Sequence, residues 1–277
     1  MPTKDHSTDV TKFEGAPAGL AKYATKQNEE MTRAMKAKRV LSRLKRIQGM
    51  TDDSLKAKHG EGSVILHPTG VKIADRDEDF AFVPLFFFLE YTKDSDLEDS
   101  EADFILERSF DTASNIAILA QDKERRTEDY ADGRKRKDGT PMRYRYVEHF
   151  VFPGVLYGGP NNMTPCVISF ERGEHFQGQN LCSAWDMRKI GMDNAPMWAC
   201  VWNFRSVLRT RDTFKWFGWD FDNPEKMYIE EGEYETFHSM HEELARLHAE
   251  RLLVVDRTDT EEDIAAATAS VANDEAM

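Results

Sequence analysis

The chain has 277 residues, with 50 Asp or Glu against 37 Lys or Arg, a formal net charge of −13. Its 40% hydrophobic residues, with 17 Phe, 8 Tyr and 5 Trp, supply a core for one large domain or two small ones and exclude a wholly disordered chain. The longest uncharged apolar stretch, Phe80–Leu89, is far short of the roughly 20 residues of a membrane helix, the polar Met1–Lys12 predicts no signal peptide, and three loosely spaced cysteines argue against a disulfide scaffold and for the reducing cytoplasm.

The charge is segregated. Residues 1–60 hold 13 basic and 7 acidic side chains, a net of +6, and Met31–Arg46 has seven bases and no acid. Residues 220–277 hold 17 acids and 4 bases, a net of −13, so the rest of the chain sums to zero. A second acidic cluster is Asp94, Asp96, Glu98, Asp99, Glu101 and Asp103; a second basic one is Arg134, Lys135, Arg136 and Lys137. Acid confined to one end leaves the basic body free to meet phosphates.

In chain order, residues 1–16 read as a disordered leader, and Ala18–Ile47 as a helix with a narrow apolar stripe and a broad basic face. Val64–Ile73, Phe80–Glu90 and Ala102–Glu107 read as strands. Asp111 is a candidate N-cap for a helix running to about Arg126. Asp138-Gly139 marks a turn, and Met142–Tyr157 reads as a long strand broken by Gly158-Gly159-Pro160. Pro165–Phe170 is a short strand, followed by a helix ending at Gly191. Met197–Arg209 and Thr213–Trp219 read as a strand hairpin, Tyr234–Leu253 as an amphipathic helix, and Thr258–Met277 as an acidic, disordered tail. The expected fold is α+β: an OB-like small β-barrel or bent antiparallel sheet with inserted helices, flanked by terminal helices. The expected organisation is a basic helical arm over 1–62, the OB-like body with its closing helix over 63–253, and the tail over 254–277.

Enzyme motifs are lacking: there is no phosphate-loop, dinucleotide, H-E-x-x-H or G-x-S-x-G pattern. Cys166, His175, Cys182 and Cys200 have zinc-ligand chemistry but no tight C-x-x-C pair, so buried structural cysteine is the better reading. His238, His241 and Glu242 on the last helix, and Asp220, Asp222 and Glu225 after the hairpin, are further metal candidates, the latter for a nuclease. The expectation is a non-enzyme without cofactor.

What remains is binding chemistry. Arg143, Tyr144, Arg145 and Tyr146 alternate cation and ring. Arg205, Arg209, Arg211, Lys215 and Trp216 do the same on the hairpin, and Arg134–Lys137 add charge. Cations that track phosphates and rings that stack on unpaired bases are how single strands are held. On a strand one face must be core, so Trp198 and Trp202 read as packing, while Tyr144, Tyr146 and Trp216 stand between stacking and packing.

The strand-rich middle, the Arg/aromatic strands and the acidic run from Asp256 to Glu275 together resemble bacteriophage single-stranded DNA-binding proteins. So does Pro165–Phe170, a helix to Gly191, then Pro196-Met197-Trp198 opening a long strand. That resemblance implies an OB-fold that coats exposed DNA in replication and recombination inside the infected bacterial host. It implies a tail that competes with DNA and recruits replication or recombination proteins, and self-association through the basic N-terminal segment. The chain departs from the pattern in ending Asn273-Asp274-Glu275-Ala276-Met277, without an aromatic tip. The alternatives are a phage assembly protein acting through self-association and, third, a metal-dependent nuclease.

Overall fold

A computed structural model describes residues 39–255 apart from 50, 52, 191, 212 and 223–227. By its internal contacts the chain divides into residues 1–39 and 40–277. The expected leader, the first part of the basic helix and the acidic tail lie outside the described residues.

In order, the elements are β1 (Arg39–Leu41), β2 (Arg43–Arg46), α1 (Asp53–His59), β3 (Val64–His67), β4 (Val71–Ala74), β5 (Phe80–Pro84), β6 (Phe88–Asp94), β7 (Ile105–Ser109), α2 (Asn115–Gln121), β8 (Thr127–Asp129), β9 (Arg143–Leu156), β10 (Pro165–Glu171), α3 (His175–Asp186), β11 (Lys189–Ile190), β12 (Asp193–Asn194), β13 (Trp202–Arg211), β14 (Phe214–Asp222), α4 (Tyr234–Ala249) and β15 (Leu253–Val255). The main sheet runs β14-β13-β5-β9-β10-β2-β3-β4, with β6 and β8 also on β9 and β7 on the outer edge of β6. Every pairing in it is antiparallel except β10 with β2. The fold is therefore mixed α+β, a large, mostly antiparallel sheet with four helices among the described residues. Among the described residues no ladder closes that sheet into a barrel, so of the two expected architectures the open sheet is the one formed.

β9 is the spine. From Phe150 to Leu156 every residue is buried, because helices cover both faces of the sheet. Phe150 and Phe152 pack with Ile168, Phe170 and Leu181 of α3. Val151 and Val155 point the other way, into Val83, Val167 and the Phe237–Leu244–Leu247 stripe of α4. Gly154 is required at the crossing, since a Cβ there would lie 2.2 Å from the Val83 carbonyl oxygen. A third core holds α2, through Ile116, Ala117 and Leu119, against Tyr91 and Tyr146. Its N-cap is Ser114, whose Oγ accepts from the Ala117 N–H at 3.2 Å, not the expected Asp111.

Two further expectations are corrected. The basic segment does not stay helical to Ile47: Arg43–Arg46 is an interior strand, paired with β10 on one side and β3 on the other. It tolerates its charge because Arg46 reaches Glu174 at 3.0 Å. The last helix ends at Ala249, and Leu253–Val255 pairs with β1 in a small separate sheet.

Candidate nucleic-acid interface

The basic residues singled out from the sequence fall into two groups on different strands. At the start of β9, Arg143 Nε bonds Asp129 at 2.7 Å. Tyr144 stacks on Tyr130 with centroids 4.0 Å apart, under the Lys93 ammonium. Tyr146 is buried and donates its hydroxyl to Glu128 at 2.5 Å; burial, then that carboxylate, pushes its ionisation up. Arg134 binds Asp99 and Asp132, Arg136 binds Asp96 at 2.9 Å, and the Lys137 N–H meets Glu98. The acidic cluster at 94–103 thus answers the basic turn at 134–137. Lys135 is exposed and forms a bridge with Pro141.

On the hairpin, Arg205 is gripped by Asp220, Asp222 and Asp79 at 2.8–3.1 Å, so two acids proposed as nuclease ligands serve as its counter-ions, and those bonds push its pKa up. Arg209 turns inward, donating to the Trp219 carbonyl at 2.6 Å, with Glu174 at 3.6 Å. Trp216 aims its Nε1–H at Glu174, 3.3 Å away. Arg211 and Lys215 are exposed. Trp202 is wholly buried, as read; Trp198 is half-buried on a 3-10 turn.

Glu174 is the hub of this half. Its carboxylate takes the Arg46 guanidinium and the Trp219 N–H at 2.6 Å, while Arg46 lies over the Trp219 ring. Burial pulls Arg46 below the ordinary arginine value, against the raising effect of Glu174.

One residue further on, His175 opens α3 and bonds Glu148 of β9. Gly178 makes this possible: a Cβ there would sit 2.8 Å from the Phe150 side chain, so only glycine lets the helix come so close to the strand. Gln121 of α2 donates to the other Glu148 oxygen at 3.0 Å. Burial works against the Glu148 charge, but His175, Gln121 and Tyr91 outweigh it and hold the carboxyl below its usual value.

This pair lies in a cavity of about 520 Å³ walled by the end of α2, the turn Lys123–Thr127, the first half of β9 and the start of α3. Four cations line it: Lys123, Arg126, Arg145 and Arg172. Arg172 is held by the buried Asp94 at 3.2 Å; burial pushes that carboxyl up, against Arg172 and His149. The Arg172 backbone is left-handed, at φ 51°, a conformation a non-glycine residue adopts at some cost. Beside it, buried His149 meets Thr92 at 2.9 Å and Glu171 at 2.5 Å. Phe176, the residue of α3 after His175, is 67% exposed.

Of the residues expected to bind, this cavity gathers only Arg145 and Tyr146. Lys123, Arg126, Arg172 and Glu148 were missed, and His175 was singled out only as a zinc candidate. One signal was available: Glu148 and His149 are ionisable residues inside a strand that is otherwise apolar from Val147 to Leu156.

Among the described residues no three His, Cys, Asp or Glu gather to hold a metal. Cys166 and Cys200 are buried and free, and burial raises both thiols, that of Cys200 to about 11. His241 spends its Nδ1 on the Leu85 carbonyl.

The model of the Pam3 phage gp34-like protein family matches residues 15–250. The chain belongs to that family. This makes it a phage protein, and the family match spans the whole β9–α3 cavity. No curated protein and no solved structure matches it. Among the described residues no helix of this family member is long and apolar enough to cross a membrane.

Proposed function

We propose that this phage protein binds single-stranded DNA without sequence preference, with the β9–α3 cavity as the anchor for the phosphate backbone. The observation that carries the reading is the convergence of Lys123, Arg126, Arg145 and Arg172 on one open cavity lined by a single carboxylate, Glu148, itself bound by His175 and Gln121. Cations on rigid elements, with exposed ring surface beside them, are the parts a single-strand site needs. Phe176 of α3, next to His175 in sequence and 67% exposed, supplies ring surface. Lys135, Lys137, Arg211 and Lys215 are exposed cations outside the cavity. In this reading the open sheet does the work that the barrel does in OB-type proteins, the acidic tail competes with DNA and recruits replication or recombination proteins, and the protein acts in the host cytoplasm.

Fluorescence anisotropy with labelled oligo-dT of about 30 nucleotides, long enough for several contacts, tests it. Salt-sensitive binding that duplex competes for poorly supports the reading; no binding at low salt by folded protein overturns it.

A second reading rests on a different surface. Met187, Ile190 and Met192 at the end of α3 and on the β11–β12 turn are 71%, 57% and 98% exposed. Such an apolar tip favours an assembly contact, with a fixed oligomer by light scattering and indifference to DNA as its signature.

A further inference from the structure

We propose that the β9–α3 cavity also cuts single-stranded RNA, with the His175 imidazole as the base that takes the proton of a ribose 2′-hydroxyl. This rests on the reading of the same cavity as the place where the strand's phosphates are held, and adds a reaction to it. DNA has no 2′-hydroxyl, so it is held there uncut.

The first observation is how firmly one imidazole is fixed. His175, the first residue of α3, bonds Glu148 of β9 through Nε2. An edge-to-face contact with Phe150, centroids 4.8 Å apart at 88°, sets the ring plane. Glu148 is itself held: Gln121 donates to its other oxygen at 3.0 Å, and the same amide nitrogen reaches the hydroxyl of buried Tyr91 at 3.1 Å. These donors keep the carboxyl ionised. A carboxylate on one ring nitrogen fixes the tautomer and leaves the other nitrogen as an acceptor. The His175 side chain is 33% exposed, and no hydrogen bond among the described residues occupies its Nδ1. Residues of β9, α2 and β6 thus orient one imidazole in the wall of a cavity of about 520 Å³.

The second observation is the source of the nucleophile. The lining holds no serine or cysteine. Its hydroxyls are Tyr146, which donates to Glu128 at 2.5 Å, and Thr127, to which no base is bonded among the described residues. No third His, Cys, Asp or Glu joins Glu148 and His175 to make a metal site among the described residues. A base without a nucleophile of its own acts on one that the substrate brings. A ribose 2′-hydroxyl is such a group: it lies beside the phosphorus in the same molecule, and well-oriented intramolecular attack is worth an effective concentration of roughly 10⁵–10⁸ M. Lys123 and Arg126, in and beside the turn after α2, bring cations to the phosphate and to the charge that grows on it.

In the reaction His175 Nδ1 takes the 2′-hydroxyl proton, the 2′-oxygen bonds to phosphorus, and the bond from phosphorus to the 5′-oxygen breaks. That oxygen takes a proton from the Lys123 ammonium, which regains one from the imidazolium through water. The products are a 2′,3′-cyclic phosphate end and a 5′-hydroxyl end, with nothing oxidised or reduced.

The test uses the full chain, in EDTA, on oligo-dT carrying one internal uridine and on the all-deoxy strand of the same length. The expected result is a single cut on the 3′ side of the uridine, ending in a 2′,3′-cyclic phosphate, with the all-deoxy strand bound and intact. His175→Gln keeps oligo-dT binding and loses at least about 100-fold in cutting rate, the scale of a general base. If that variant does not melt like the wild type, His175→Ala takes its place, and its activity returns with added imidazole; no return overturns the role of the ring. Glu148→Gln lowers kcat without raising KM, and an unchanged kcat overturns the positioning role of Glu148. An intact uridine strand, with oligo-dT bound, overturns the inference and leaves DNA binding standing. Cutting that EDTA abolishes, or that survives His175→Gln purified in the same way, overturns the assignment to this imidazole. Cutting of the uridine strand without affinity for oligo-dT keeps the inference and overturns the DNA reading.

Discussion

Gln48 behaves towards Phe217 as a neighbouring strand would: its Nε2 donates to the Phe217 carbonyl at 2.9 Å and its Oε1 accepts from the Phe217 N–H at 2.8 Å. One side-chain amide thus satisfies both backbone groups of a residue in β14, from a position just beyond β2, five places along the strand path. Gln48→Leu strips both bonds and leaves partly buried backbone groups unpaired. The expected loss is about 1–3 kcal/mol, read as a lower urea midpoint with unchanged slope. An unchanged midpoint contradicts the role given to this contact.

Glu174 joins the same two strands through charge. Glu174→Gln keeps the shape but leaves the Arg46 guanidinium buried beside Trp219 without its counter-ion. Breaking a buried pair from one side typically costs about 3–5 kcal/mol. Chemical denaturation of this variant is expected to show a loss of that order, and a loss under about 1 kcal/mol, the scale of a surface pair, contradicts the hub.

The tyrosines give a signed pH prediction. Burial pushes Tyr91 and Tyr130 from the ordinary 10.0 up to about 12. A folded-state pKa above the unfolded one means the folded protein holds its proton longer. The stabilisation is therefore fully present below pH 10 and is lost as pH rises towards about 12. Absorbance at 295 nm is expected to show a late-ionising class that shrinks in Tyr91→Phe. A single titration near 10 for all tyrosines contradicts it.

Much of the framework was legible because its cause is local. Alternation and β-branched or aromatic residues marked β9 over Met142–Tyr157, against the observed Arg143–Leu156. The β13–β14 hairpin and the Phe237–Leu244–Leu247 stripe were legible for the same reason. β2 was not, because seven bases in a row of sixteen residues look like a solvated helix face. It is a strand only because β10 and β3, distant in sequence, pair with it and Glu174 neutralises Arg46. The cavity was illegible for a related reason. Its cations come from positions 123, 126, 145 and 172, and they meet only because β8 and β10, far apart in sequence, both pair with β9. Conversely, cations adjacent in sequence, such as Arg134 and Arg136, proved to be balanced by acids some 35–40 residues away.

The acidic C-terminal segment yields a fourth prediction. Residues 256–277 hold seven acids and one Arg, a net of −6. Truncation belongs after Val255, since Leu253 and Val255 are buried in the body. If the tail competes for the basic cavity, its removal tightens oligo-dT binding several-fold at low salt, and the gain shrinks as the Debye length falls below about 10 Å. Equal affinities for the two lengths of chain at every salt contradict tail competition.

The most direct measurement compares oligo-dT anisotropy for the wild type and the Arg126→Ala/Arg145→Ala double variant across a salt series, after confirming that both melt alike. The account predicts tight, single-strand-preferring binding by the wild type. It predicts at least about tenfold weaker binding by the variant, with the slope of log K against log salt reduced by about 1.4, the equivalent of two lost phosphate contacts. Wild-type affinity and slope in the double variant would contradict the cavity as the place where DNA is held.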